Sequence, residues 1–433
     1  MSLLQLGDSL GGITSSDKEL DQFFREQYLS VLLQLKQYLK AVSVASDILI
    51  SDPKNVRCLE AVCFAFVEEE KIDISLDSIG EIIEALLSVN SKNDRGMLAK
   101  ARWLLLKEKS MEARQLLELI NTKEATRKSQ LFLCDAYQQL HQWSKMENIC
   151  RAGLESATST ESDKLCWRLR LIKSLIEEDG VDRLNEASVI LDNVRTEAKS
   201  SATFRLLETL NWLRTNQLEK CKNNLDMLEE QQPTDIMGKV LLIKAEYLQK
   251  TGREAEAVQL LDRVCENHPQ NVDLLLNAAK MLWNRSEQRE KSVTIMLNVI
   301  KINRDIAEPY ILLGTFYGEQ RQNPSSMQRA VRCLEKAFQL DPYQTRTSEK
   351  LLELYRLIDD IASALKLLDV VVRSNAKNRR WAWLQKGILH LKMFQKVKQV
   401  SEKEKEAGLA ITCLQNAMAI DSNDSSGWEA LGT

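Results

Sequence analysis

The sequence predicts an all-α protein, a solenoid built from consecutive helix–turn–helix hairpins. Three observations predict it. Apolar residues recur every three or four positions along nearly the whole chain, which is the period of one helix face. Only 15 glycines and 6 prolines occur among 433 residues, too few for a sheet-rich chain with many tight turns. Four of those prolines share one phase: Pro53, Pro233, Pro269 and Pro342 each lie twelve residues after Ala41, Cys221, Ala257 and Ala330. Chance helical periodicity does not phase prolines.

The stretch Ala307–Pro342, AEPYILLGTFYGEQRQNPSSMQRAVRCLEKAFQLDP, shows the unit most fully. Pro309 suits a helix start, where its missing N–H costs nothing. Tyr310, Leu313, Gly314 and Tyr317 fall on one face. A polar turn is expected over Gly318–Gln328, with about four extra residues in it. Ala330, Leu334 and Ala337 then share a face on a second helix that ends at Leu340-Asp341-Pro342. Gly314 and Ala330 are small where the two helices cross. This order of aromatic, Leu-Gly, aromatic, Ala, large apolar, Ala and Pro resembles the tetratricopeptide repeat. The resemblance implies a right-handed superhelix in which each hairpin buries its apolar faces only against its neighbours.

Taken in order, residues 1–20 read as a disordered lead-in, with Gly11-Gly12 and a Ser/Thr run. An array of about eleven repeats is expected over 21–424. The first hairpin starts near Leu20 and carries Ala41, Ala45 and Ile48. Leu59, Val62, Cys63 and Phe66 open the second, and Ile82, Ile83 and Leu86 close it. The third has Met97, Ala101 and Leu104, then Ala113, Leu117 and Ile120. The fourth has Cys134 and Tyr137, then Met146, Cys150 and Gly153. The fifth is looser: Leu165, Leu169 and Leu171, a turn at Glu178-Asp179-Gly180, then Ala187, Leu191 and Val194.

The sixth has Trp212, Cys221, Leu225 and Leu228. The seventh is regular: Leu241, Ala245, Leu248, Gly252, Ala257, Leu261 and Val264. The eighth has Leu275, Ala279 and Leu282, then Ser292, Met296 and Val299. The tenth has Leu351, Leu352 and Tyr355, then Ala364, Leu368 and Val371. The eleventh begins at Arg379-Arg380-Trp381-Ala382-Trp383. It holds a charged insertion, Lys396–Glu406, before Ala410, Leu414 and Ala417. Residues 425–433 open a further unit with Trp428 and Leu431, so the sequence reads as a piece of a longer protein or an incomplete gene product.

Composition bounds the function. Lys plus Arg is 59 against Asp plus Glu 62, a net charge of −3, which supplies no global attraction for nucleic acid. The first twenty residues lack a basic start and an apolar run, so no signal peptide is expected. No run of about eighteen apolar residues exists, so no membrane span is expected. None of the nine cysteines forms a C-x-x-C pair, and Cys63, Cys134, Cys150 and Cys221 sit at core positions. Buried free thiols are the expectation. His141, His268 and His390 are far apart, and no phosphate loop or nucleophile elbow occurs. No catalytic residue, metal, cofactor or small-molecule substrate is expected.

The tryptophans divide. Trp103, Trp167, Trp212 and Trp428 fit packing positions. Trp283 follows the core position Leu282 and, with Lys280, is placed facing the inner groove. The same positions of the tenth repeat hold Arg346, Glu349, Glu353 and Arg356. A groove lined by one aromatic and several charges suits an extended peptide, and these six residues are the candidate partner-binding site. The insertion KVKQVSEKEKE mixes both charge signs and reads as a solvated helix extension, a poor site for RNA.

One segment says more. Residues 379–432 read RRWAWLQKGILHLK, an insertion, then AITCLQNAMAIDSNDSSGWEALG. The W-A-W-L-x-x-G-x-x-x-L-K block followed by L-Q-x-A and W-E-x-L-G resembles the tetratricopeptide scaffold subunits of superkiller (Ski) complexes. That resemblance implies a non-enzymatic scaffold holding a DExH-type RNA helicase and WD-repeat subunits. It implies only indirect contact with RNA, assistance to exosome-mediated 3′-to-5′ mRNA decay, and a place in the cytoplasm and also the nucleus. The alternatives are a chaperone co-factor that clamps a C-terminal carboxylate, the repeat region of a glycosyltransferase, and an adaptor of another assembly. The clamp needs Lys/Arg and Asn on consecutive repeats. Asn277 and Lys280 occur together, and the next repeat has no matching Asn.

Overall fold

A computed structural model of the chain describes residues 18–69, 74–123, 126–156, 160–178, 180–198, 201–231, 236–283, 285–320, 323–373, 378–421 and 428–429. Those residues form twenty-two α-helices, one 3-10 turn and no strand. They fall into two compact units, Met1–Pro233 and Thr234–Thr433. The expected lead-in lies outside the described residues up to position 17, and most of the expected final repeat also lies outside them.

In the first unit, α1 (Lys18–Gln34) pairs with α2 (Tyr38–Ser51), α3 (Val56–Glu68) with α4 (Leu76–Val89), and α5 (Asp94–Leu106) with α6 (Ser110–Lys123). Next come α7 (Arg127–Gln139) with α8 (Trp143–Glu155), α9 (Glu161–Glu177) with α10 (Val181–Ala198), and α11 (Ala202–Arg214) with α12 (Leu218–Gln231). The second unit pairs α13 (Met237–Lys250) with α14 (Glu254–Asn267), α15 (Val272–Trp283) with α16 (Arg289–Ile302), and α17 (Ala307–Glu319) with α18 (Pro324–Leu340). It ends with α19 (Thr345–Leu357) on α20 (Ile361–Arg373) and α21 (Arg379–Lys396) on α22 (Val400–Ile420). Within each unit first helices of successive hairpins also touch, as α1 with α3, α3 with α5, and α13 with α15. This is tetratricopeptide-type stacking.

The phase of each hairpin is set by its second helix. In eight of them the fourth residue is buried against the first helix: Ala41, Ile79, Ala113, Met146, Cys221, Ala257, Ser292 and Ala364. The other three second helices are longer. Their crossing residues, Ala187, Ala330 and Ala410, are also buried but stand at the seventh, seventh and eleventh positions. Three or seven residues are one or two helical turns, so the additions leave the apolar face in place. The extra residues of Ala307–Pro342 therefore lengthen α18 rather than its turn. Asn323 starts that helix, its side chain accepting from Ser325 N at 3.0 Å with Pro324 just inside. At the crossing, a Cβ built on Gly314 would lie 2.7 Å from Leu334, so only glycine fits.

Six hairpin turns are alike. Lys36, Glu108, His141, Asn216, Gly252 and Asp359 each stand two residues before a second helix, with φ of 56°, 58°, 55°, 61°, 80° and 55°. The next residue's N–H reaches back to close the first helix, as Gln37 N to Leu32 O at 2.9 Å and Arg253 N to Leu248 O at 2.9 Å. Gly252 alone is glycine, and a Cβ there would touch nothing within 4 Å. Gly252→Ala therefore isolates backbone strain and is expected to cost about 1 kcal/mol. Urea unfolding checks it; an unchanged midpoint would show that this turn does not hold the left-handed conformation. Pro53, Pro269 and Pro342 each fall two residues past a second helix, where a helix cannot continue; Pro233 lies outside the described residues.

Core clusters run through each unit. One joins Leu29, Leu59, Val62 and Ile83; another joins Met97, Leu117, Trp167, Leu191 and Phe204. Cys63, Cys134, Cys150 and Cys221 are buried, as their positions suggested. Burial, then the Glu60 carboxylate, pushes the Cys63 thiol up to about 12. Trp167 is buried at 2% exposure, Trp103 is half-buried with its indole N–H donating to Leu76 O at 2.6 Å, and Trp212 is half-buried. Most of the repeat in which Trp428 was expected to pack lies outside the described residues. Among the described residues no helix is long and apolar enough to cross a membrane.

Candidate protein-binding surface

The first helices of each unit carry a polar face that ties hairpin to hairpin. Asn55 caps α3, its Oδ1 accepting from Cys58 N at 3.1 Å. The same side chain donates to Glu26 Oε1 of α1 at 2.8 Å, and Arg57 reaches the other oxygen at 3.1 Å. One hairpin on, Asn93 caps α5, accepts from Gly96 N at 2.9 Å and donates to Glu60 of α3 at 2.5 Å. Arg170 of α9 pairs with Asp135 of α7 at 3.0 Å. The second unit repeats the idea: Lys239 to Asp273 at 3.8 Å, Lys280 to Glu308 at 3.4 Å, and Lys350 donating to Thr315 Oγ1 at 2.8 Å.

The predicted site residues separate on this framework. Lys280 is partly exposed and engaged with Glu308 of α17. Trp283 does not line an open surface: it is 9% exposed and belongs to the core cluster with Leu276, Met296 and Leu312. Its ring meets Phe316 edge-on at 6.3 Å, and the Arg289 guanidinium lies 5.2 Å from its centre. The reason is stacking. The last turn of a first helix is covered by the first helix of the following hairpin, and Phe316 is what covers it.

Arg346, Glu349, Glu353 and Arg356 are exposed along α19. Arg356 Nη2 donates to Gln385 Oε1 of α21 at 2.6 Å. Lys350 lies among them, its ammonium pKa lowered by partial burial and then by the Arg346 charge. The exposed face of α19 thus offers both signs of charge and no open aromatic ring. Asn277 is spent within its own helix, donating to Asp273 O at 2.9 Å.

Other pairings were not anticipated. Tyr137 donates to Glu118 at 2.8 Å and Tyr355 to Glu335 at 2.7 Å, the same two repeat positions in different units. Buried His390 holds Glu406 at 2.7 Å between its Nδ1 and a carboxylate oxygen, and Lys396 pairs with Asp359 at 2.8 Å. The insertion is therefore anchored at both ends, with a break at 397–399 and helix beyond it. A signal existed: Glu26–Asn55, Glu60–Asn93, Asp135–Arg170 and Lys239–Asp273 are separated by 29, 33, 35 and 34 residues, about one repeat. Complementary groups one period apart mark such ties.

Among the described residues no group of three His, Cys, Asp or Glu side chains is placed to hold a metal. The stacked hairpins and their polar first-helix faces define a tetratricopeptide-type scaffold, a fold whose surface per residue serves binding. No protein-family profile matches the chain. It is similar to Superkiller complex protein 3 of Mus musculus, 25% identical over 389 residues, covering 86% of this chain and 23% of the relative. It is also similar to Tetratricopeptide repeat protein 37 of Xenopus laevis, 25% identical over 310 residues, covering 69% of this chain and 19% of the relative. Among solved structures, the APC/C hetero-tetramer Cut9-Hcn1 aligns over 94% of this chain and 96% of its own with a TM-score of 0.35 and 14% identity. The chain spans less than a quarter of the length of the curated relatives it matches.

Proposed function

We propose that this chain is a non-enzymatic scaffold of a superkiller-like assembly. It holds a DExH-type RNA helicase and WD-repeat subunits that deliver mRNA to the cytoplasmic exosome for 3′-to-5′ decay. The observation that carries this reading is the alignment with the mouse superkiller protein across 86% of the chain. The architecture agrees with it: stacked hairpins close their cores against one another and leave the exposed charges of α19 for partners. Residues 21–424 act as the repeat array, and Lys280 with the α19 face of Arg346, Glu349, Glu353 and Arg356 is one contact surface. RNA reaches the scaffold only through its partners.

Affinity purification of the full-length protein that contains this chain is the test. Recovery of a DExH helicase together with a WD-repeat protein is expected. Recovery of a chaperone or a cell-cycle ligase in their place would reject the superkiller reading. Charge reversal at Arg346 and Glu349 together should weaken partner recovery several-fold while leaving thermal unfolding unchanged, since exposed substitutions shift stability by only about 0.5 kcal/mol.

A further inference from the structure

The second helices α18 and α20 sort their charges by side. Each packs on two first helices, α18 on α17 and α19, and α20 on α19 and α21, which leaves the opposite face open. Each has a single acidic residue, and both of these turn toward first-helix partners. Glu335 of α18 accepts from the Tyr355 hydroxyl at 2.7 Å, and Asp369 of α20 takes Lys386 of α21 at 2.6 Å. The cations go the other way. Arg329, Arg332 and Lys336 of α18 and Lys366 and Arg373 of α20 are all exposed. None of the five is ion-paired with a described residue. Asp360, just before α20, is engaged in capping it and accepts from Ser363 N at 3.0 Å.

The spacing makes ridges of these charges. Arg329, Arg332 and Lys336 stand at i, i+3 and i+7, one stripe of a helix. Arg329 is held in place, its guanidinium carbon 5.9 Å from the centre of the Tyr317 ring. Lys366 and Arg373 flank Val370 on the next ridge at the same period, and Val370 is 46% exposed. The preceding second helix, α16, adds Leu297, 43% exposed, with Lys301 one turn on. The sign is local, since α14 carries four acidic residues against one arginine and the whole chain is at −3. A face of one sign, with its own acids turned inward, concentrates anions.

We propose that the outer face of α16, α18 and α20 docks an acidic polypeptide segment of a partner, with apolar residues among its carboxylates. The cations call for an anion. Val370 and Leu297 call for aliphatic side chains, which a nucleic acid backbone does not offer. A single-stranded nucleic acid also gains from open rings on which its bases stack. Phe338, the one aromatic residue of the three helices, packs against the core instead. The proposal rests on the protein-binding reading above but on no particular assembly, and it concerns the face opposite α19.

The test is fluorescence anisotropy with the whole chain and two labelled peptides. One is polyglutamate, and the other has leucine at roughly every third or fourth position. The leucine-bearing peptide is expected to bind in the micromolar range, more tightly than polyglutamate, and to weaken as salt rises. Arg332→Glu, Lys336→Glu and Lys366→Glu together should weaken both peptides roughly tenfold, about what three exposed ion pairs sum to. Val370→Ser should weaken only the leucine-bearing peptide. Lys222→Glu, exposed on α12, should change neither. Thermal unfolding of every variant should match the parent, so lost binding is not lost fold. Unchanged binding in the triple variant, equal binding of the two peptides, or tighter binding of oligouridylate or phosphatidylserine vesicles would each overturn the proposal. Peptide binding as expected, without recovery of a helicase and a WD-repeat protein, would reject the superkiller reading and leave this face assigned.

Discussion

Trp167→Ala is expected to lower the stability of the first unit by roughly 3–5 kcal/mol, the cost of emptying a core site this large. Trp167 is the largest fully buried side chain among the described residues and belongs to a core cluster that draws Cys150, Leu171 and Phe204 from three hairpins. Its ring lies over Gly153 so closely that a Cβ there would sit 2.6 Å from a ring carbon. The two positions must therefore couple. Gly153→Ala alone should destabilise, because the indole has nowhere to move. In the Trp167→Ala background it should cost nothing or gain, since alanine favours a helix over glycine. A double-mutant cycle by urea unfolding is expected to give a coupling above about 1 kcal/mol. Additive changes would show that α8 and α9 do not meet at this point.

Ala257→Trp is expected to cost at least about 1–3 kcal/mol by overpacking. Ala257 is fully buried where α14 crosses α13, in a cluster with Ala245, Leu248 and Leu261. The control is Gln259→Trp, two residues on and exposed, which should leave thermal unfolding within about 0.5 kcal/mol. Equal midpoints for the two variants would place the helix crossing elsewhere.

Much of the fold was legible because the small residues that permit crossing are themselves the signal. Ala41, Ala113, Ala257, Ala330 and Ala364 mark their hairpins in the sequence and in the structure alike. The allocation of extra residues was not legible. NPSSMQ before Ala330 is mostly polar, with Met327 its single apolar residue, yet Asn323 and Pro324 start a helix there by capping, and Ser326 and Met327 are buried in it. Trp283 was misplaced for a different reason. A helical period shows which residues share a face, but its cover, Phe316, comes from the next hairpin. The exposed run on α19 was readable from its charges.

The ties named above have one mechanical consequence. The longest joins Asp359 to Lys396, 37 residues apart, so each reaches about one repeat. No bond among them staples distant parts of the chain. Stretched between its ends in an optical trap, each unit should yield piecemeal, releasing about one hairpin's length of slack per rip, and should rewind quickly when the tension is relaxed.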